Sequence, residues 1–186
     1  MKKSTLITLL VFLALVVGSI FLYKKKGGNS TINKEPSDFK IKHTASVHKI
    51  FLADKEGKTI LLERKNNSWL LNEKYPVRPD AISMLLYTMA SIEVKSPVAK
   101  SAKANVVKIM TSKSTKVEIY SKGEKIKQYY VGHATMDFTG TFMVLTDLSS
   151  NENYDDPFIV HIPGFEGFLT TRYYTDELDW RDRLVI

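Results

Sequence analysis

The chain has 186 residues and no cysteine. That absence excludes disulfides, thiolate nucleophiles and cysteine-ligated metals. It does not decide the compartment, because many exported bacterial proteins also lack disulfides. There is no Gly-x-Ser-x-Gly segment, so no nucleophile elbow is encoded. Neither Gly-x-Gly-x-x-Gly nor a glycine loop ending in Lys-Ser/Thr occurs, so no phosphate cradle is encoded either. Metal sites tend to show close spacing such as two histidines four apart on a helix. The four histidines, His43, His48, His133 and His161, do not follow it. His43 and His48 are five apart, which is poor for one face. His133 with Asp137 reads as a solvated turn, and His161, among apolar neighbours, as a residue that packs or caps a strand end. These absences assign no catalytic residue, no cofactor and no metal ligand, and the chain reads as not an enzyme.

Acidic charge is missing from the first 26 residues, which hold five lysines. The whole chain carries 27 Lys and Arg against 20 Asp and Glu, a net charge of +7. Without those five lysines the remainder has 22 basic and 20 acidic residues, net +2. An alkaline chain can suggest nucleic-acid binding. Here much of the excess sits in one terminal segment, no basic stripe interleaved with aromatics follows, and nucleic acid is not expected as a partner.

What is present begins with an uncharged run from Ser4 to Tyr23, bracketed by Lys2, Lys3 and Lys24, Lys25, Lys26. About 20 residues at about 1.5 Å each make roughly 30 Å of helix, the thickness of a bilayer's hydrocarbon core. A cleaved signal has a shorter apolar stretch and a small-x-small site, and the run's end, Ser19 to Tyr23, offers none. The expectation is an uncleaved signal-anchor: a transmembrane helix contacting the lipid bilayer through residues 4–23, with Tyr23 at the boundary. The flanking lysines tie in number. A short N-terminal tail favours a single pass through the bacterial inner membrane with the C-terminal domain in the periplasm; retention of that domain inside by the lysine triplet is the other orientation. Gly18 and Ser19 are small enough to let a neighbouring helix approach.

Residues 27–42, with Gly27-Gly28 and Glu35-Pro36-Ser37-Asp38, read as a linker after the 1–26 anchor. Residues 43–186 suit one domain. Alternation predicts strands at Val47, at Thr59 to Glu63 and at Ser68 to Leu71, separated by turns at Lys55–Lys58 and Asn66-Asn67. Arg78-Pro79-Asp80 opens a helix whose apolar face is Ile82, Leu85, Leu86 and Met89. A short strand Ile92–Val94 and a helix from about Ala102 to Met110 follow. Lys116–Tyr120 and Ile126–Val131 are strands about the Lys122–Lys125 turn, Gly132–Thr135 is a loop, and Thr141–Leu145 and Phe158–Ile162 are further strands. Pro163 to Leu169 opens a short helix. The fold class is therefore α+β: an N-terminal transmembrane helix, then a strand-rich domain of antiparallel meanders with short helices, arranged as two repeated units.

Aromatic residues concentrate near the C-terminus. Phe165, Phe168, Tyr173 and Tyr174 are candidates for partner binding, an aromatic speciality, and equally for filling a core. Trp180, Arg181 and Arg183, in the ending Trp180-Arg181-Asp182-Arg183, are either an edge strand tied by an Arg–carboxylate pair or a recognition tail. Trp69 reads as core.

Lys49-Ile50-Phe51-Leu52-Ala53-Asp54, Trp69, Tyr129-Tyr130-Val131-Gly132, Gly140-Thr141-Phe142-Met143, His161-Ile162-Pro163-Gly164-Phe165 and the Trp180 ending form an ordered set. With the N-terminal run, this set resembles the bacterial family called domain of unknown function 4340, from about Phe39 to Ile186. The resemblance implies membrane-anchored envelope proteins, with a related domain in the auxiliary subunit of gliding-associated ABC exporters, and implies no activity. The expected function is a non-catalytic accessory or scaffold subunit of a cell-envelope membrane complex concerned with transport, secretion or motility. The alternatives are an envelope ligand-binding or sensor module, and a hydrolase using His133, Asp137, His161 or Glu166.

Overall fold

Ten strands in a single antiparallel sheet organise the residues that the structure, a computed structural model, describes: 37–66 and 68–182. All of these fall within one compact unit. The strands are β1 Val47–Ala53, β2 Thr59–Lys65, β3 Ser68–Leu71, β4 Tyr75–Pro76, β5 Glu93–Pro97, β6 Thr115–Ser121, β7 Glu124–Ala134, β8 Thr141–Asp147, β9 Glu152–Asn153 and β10 Phe158–His161. The helices are α1 Pro79–Ser91, α2 Lys100–Ser112 and a single turn, α3 Glu177–Trp180. The α+β class with mostly antiparallel strands and a few short helices is therefore what the chain adopts. Among the described residues no helix is long and apolar enough to cross a membrane. The Ser4–Tyr23 run, Gly18, Ser19 and Arg183 lie outside the described residues.

The strand order is β4-β3-β2-β1-β6-β7-β8-β10-β5, with β9 beside β8. Two meanders thus run outward from a central antiparallel β1–β6 pair, in which Ile50 faces Ile119 and Leu52 faces Val117. The edges are exchanged. Strand β5, from the first half, adds to β10 of the second. On the opposite edge, Arg181 from the second half bridges to Val77 of the first. Backbone hydrogen bonds from Arg78 to Trp180 and from Asp182 to Pro76, each 2.9 Å, extend that contact.

Strand alternation decides what lies inside. Ile50, Leu52, Ile60, Leu62, Val117, Ile119, Tyr129 and Val131 point to one face, and α1 covers them with Ala81, Ile82, Leu85 and Met89. Helix α2 packs on the opposite face, where Val106 and Met110 meet Val144. Pro79 opens α1, where its missing N–H costs nothing, and Asp80 in that first turn complements the helix dipole and pairs with Arg78.

Three expectations change at the level of single elements. First, the core begins inside the segment expected to be linker. Phe39 and Ile41 are buried, the Ile41 N–H donates to Met89 at 2.8 Å, and the Phe39 ring meets Tyr129 and Phe158 edge-on, both at 6.1 Å. Second, β7 runs on through Gly132, His133 and Ala134, expected as a loop. Gly132 is there for space: a Cβ would sit 2.9 Å from Met110 of α2 and 3.0 Å from the Phe142 carbonyl. Third, Pro163 to Leu169 forms no helix. Gly164 (φ 75°) and Gly167 (φ 149°) adopt backbone angles that a right-handed helix does not contain. A 3-10 turn, Thr170–Arg172, follows.

Candidate functional site: an apolar rim beside the β7–β8 turn

The C-terminal aromatic cluster divides into two groups. Tyr173 and Trp180 are core. The Tyr173 hydroxyl meets that of Tyr129 at 3.2 Å, with the rings perpendicular and 6.1 Å apart. Burial pushes the Tyr129 hydroxyl far above its ordinary pKa and also raises that of Tyr173. The Trp180 indole N–H donates to the Tyr174 carbonyl at 3.0 Å, and its ring lies against Tyr174 at 4.4 Å. Burial also raises the Tyr174 hydroxyl. Arg181 has a structural place too. Its guanidinium stacks 3.7 Å over Tyr75 and lies 3.9 Å from Glu177. Trp180 thus closes the helical turn α3, and Arg181 alone bridges to Val77 at the sheet edge.

Phe165 and Phe168 belong to a different surface. Phe165 is 37% exposed and lies under the Arg172 guanidinium at 4.4 Å. Arg172 is fixed from the other side by α1, donating to Thr88 Oγ1 at 3.0 Å and approaching Met84 Sδ at 3.2 Å. Met84 and Tyr87, one turn apart on α1, are themselves exposed. Phe168 is half-buried and touches Phe138 of the β7–β8 turn, with ring centres 5.8 Å apart. Among the described residues seven large hydrophobics are exposed, and five of them, Met84, Tyr87, Met136, Phe138 and Phe165, belong to these connected elements.

Sequence reasoning missed Met84, Tyr87, Met136, Phe138 and Arg172. A signal was present for three of them. Met84 and Tyr87 are large apolar residues on the face of α1 opposite Ile82, Leu85 and Met89, where an amphipathic helix carries polar side chains. Phe138 in a short turn is a similar anomaly. Arg172 gives no sequence signal.

The other candidates go separate ways. His133 is half-buried against Phe142 at 4.8 Å. Burial lowers its pKa, and its Nδ1 is enclosed without a hydrogen-bond partner. Asp137 instead accepts from Thr135 Oγ1 at 2.5 Å and from Thr139 Oγ1 at 2.7 Å. These bonds lower its pKa to about 2. His161 pairs with Glu93 in the β10–β5 ladder. No group of three His, Asp or Glu able to hold a metal occurs among the described residues. An open recess lined by Asp38, Phe39, Lys40, Ile92, Glu93 and Val94 lies beside β5. A scan against family models, a search of curated proteins and a search of solved structures each find no match to this chain.

Proposed function

We propose that this protein is a single-pass, membrane-anchored, non-catalytic accessory or scaffold subunit of a bacterial cell-envelope complex, docking a partner protein through the Phe165 face. The observation that carries the reading is the joint exposure of Phe165, Met84 and Tyr87 around a fixed arginine. Aromatic residues, methionine and arginine are enriched at protein interfaces. An arginine already ordered by Thr88 and Phe165 loses little freedom on binding. The Ser4–Tyr23 run supplies the anchor, with the domain on the periplasmic side of the inner membrane. The resemblance to the family of domain of unknown function 4340 supports this by analogy.

The two repeated units of the strand-rich domain are β1–β4 and β6, β7, β8 and β10. The central β1–β6 pairing and the exchanged edges support that duplication. Gly18 and Ser19 add a second contact within the membrane. The test is gentle detergent extraction of the full chain with identification of what co-purifies. Stoichiometric recovery of one membrane complex, lost on Phe165→Ser with Tyr87→Ser, is expected. A monodisperse, partner-free monomer contradicts the proposal. Unchanged recovery on replacing both Gly18 and Ser19 with leucine makes the run an anchor only.

A further inference from the structure

The turn joining β7 to β8, Thr135 to Gly140, is built in an unusual way. Its tip carries Met136, 100% exposed, and Phe138, 61% exposed. Phe138 sits at φ 57°, a left-handed conformation that disfavours a bulky side chain. Polar bonds at the base hold the tip in place. The Thr135 N–H donates to the Gly140 carbonyl at 2.9 Å, and the Gly140 N–H to Thr135 Oγ1 at 3.1 Å. Asp137 accepts from Thr135 and from both the N–H and the hydroxyl of Thr139. Folding gains nothing from Met136 in water, and it bears backbone strain to place Phe138 there. An apolar environment outside the domain accounts for both.

From these observations we infer that the Met136–Phe138 tip inserts into the surface of the lipid bilayer that holds the N-terminal run. This rests on the anchored reading given above. The tether limits where the domain can go. Fifteen residues separate Tyr23 from Phe39, the first core residue, and fully extended they span at most about 50 Å. The tether's entry and the tip also meet along one edge strand. Lys40 pairs with Glu93 at 3.1 Å, and two residues further along β5 Lys95 donates to Thr139 at 2.8 Å. Two residues of strand measure about 7 Å. Exposed Lys42 and Lys95 lie in the same region, where they favour anionic headgroups. The ionised Asp137 limits the depth: the carboxylate stays at headgroup level while the methionine and phenylalanine reach the acyl boundary. Contact between Phe138 and Phe168 then holds the neighbouring Phe165 face close to the membrane surface.

Because the chain has no cysteine, single labels report cleanly. The full chain is reconstituted into phosphatidylethanolamine–phosphatidylglycerol vesicles with an environment-sensitive dye at one position. The positions are Met136→Cys, Glu124→Cys at the other end of β7, and Leu10→Cys in the run. Quenching by spin-labelled lipid is expected at positions 10 and 136 and not at 124. Adding Phe138→Ser removes it at 136 and leaves it at 10. Quenching at 10 without quenching at 136 overturns the inference and leaves the anchor standing. Quenching at neither removes the anchored reading and the inference with it. Quenching at 124 in place of 136 turns the opposite end of the sheet to the bilayer, and shielding of 136 only in native membranes assigns the tip to a protein partner; either overturns the inference.

Discussion

Trp180 and Phe165 stand fifteen residues apart in one aromatic-rich stretch, yet they meet opposite environments. Trp180 is fully buried, its indole N–H is satisfied and its ring is covered by Tyr174. Phe165 lies on a loop shaped by Gly164 and Gly167, beneath the Arg172 guanidinium and 37% exposed. Aromatic density alone therefore does not mark an interface. The distinguishing feature is what the polar atoms nearby are used for. Around Trp180 and Tyr173 they satisfy buried groups; around Phe165 and Phe138 they order side chains that remain in solvent.

The largest effect expected from this comparison is on folding. Trp180→Ala removes a fully buried ring and is expected to cost about 3–5 kcal/mol in urea unfolding. Phe165→Ser, at the exposed position, is expected to change stability by less than about 1 kcal/mol. Equal losses would erase the distinction between the two groups.

Lys127 comes next. Nearly buried, it donates to the Asp38 and Lys40 carbonyls and lies 3.2 Å from the Asp38 carboxylate. It thereby fastens the entering segment that Phe39 and Ile41 seat in the core. Lys127→Met leaves those acceptors without their donor and is expected to cost about 1–3 kcal/mol. Limited proteolysis is expected to cut first within residues 37–42. Protection there equal to that of the unaltered chain contradicts the clamp.

Phe138→Gly sharpens the comparison from the exposed side. Glycine adopts φ 57° without strain, so stability is expected to hold or rise by up to about 1 kcal/mol, offset by the added freedom of the unfolded chain. Lipid quenching at the tip is expected to fall in the same variant. A clear loss of stability would make Phe138 a packing residue.

The smallest effect is a pH response of the same turn. The hydroxyl of Thr135, then the hydroxyl and N–H of Thr139, bring the Asp137 carboxyl from 3.8 down to about 2. A depressed folded value means that the contribution is complete above the ordinary pKa and is lost as pH falls from there through about 2. Exchange protection of the Thr139 N–H is expected to decline across that window. Flat protection down to pH 2 contradicts the assigned bonds.

Much of the sheet was legible in the sequence because alternation and turn chemistry act locally. The β1–β2 and β6–β7 turns contain Gly57 and Gly123 at positive φ, and α1 announces itself by Pro79 and its apolar spacing. What escaped depended on distant partners. Gly132 looks like a turn residue until Met110 is placed above it. Phe39 and Ile41 alternate with Asp38, Lys40 and Lys42, a strand-like cue masked by the Gly, Pro and Asn before them. The candidate site was half legible. Phe165 and Phe168 stood out as aromatic, and Met84 and Tyr87 interrupt the polar face of α1, whereas Arg172 acquires meaning only when α1 and the 3-10 turn come together.

Exposed and buried aromatics of this domain are thus set apart, and the two proposals above divide the exposed rim between a protein partner and the bilayer. Site-specific photocrosslinking in native membranes tests it most directly, with a benzophenone side chain placed at position 165, 136 or 124 of the full chain. A discrete protein adduct is expected from 165, lipid adducts from 136 and neither from 124. Indistinguishable adducts from 165 and 124, or a protein adduct from 136, would contradict it.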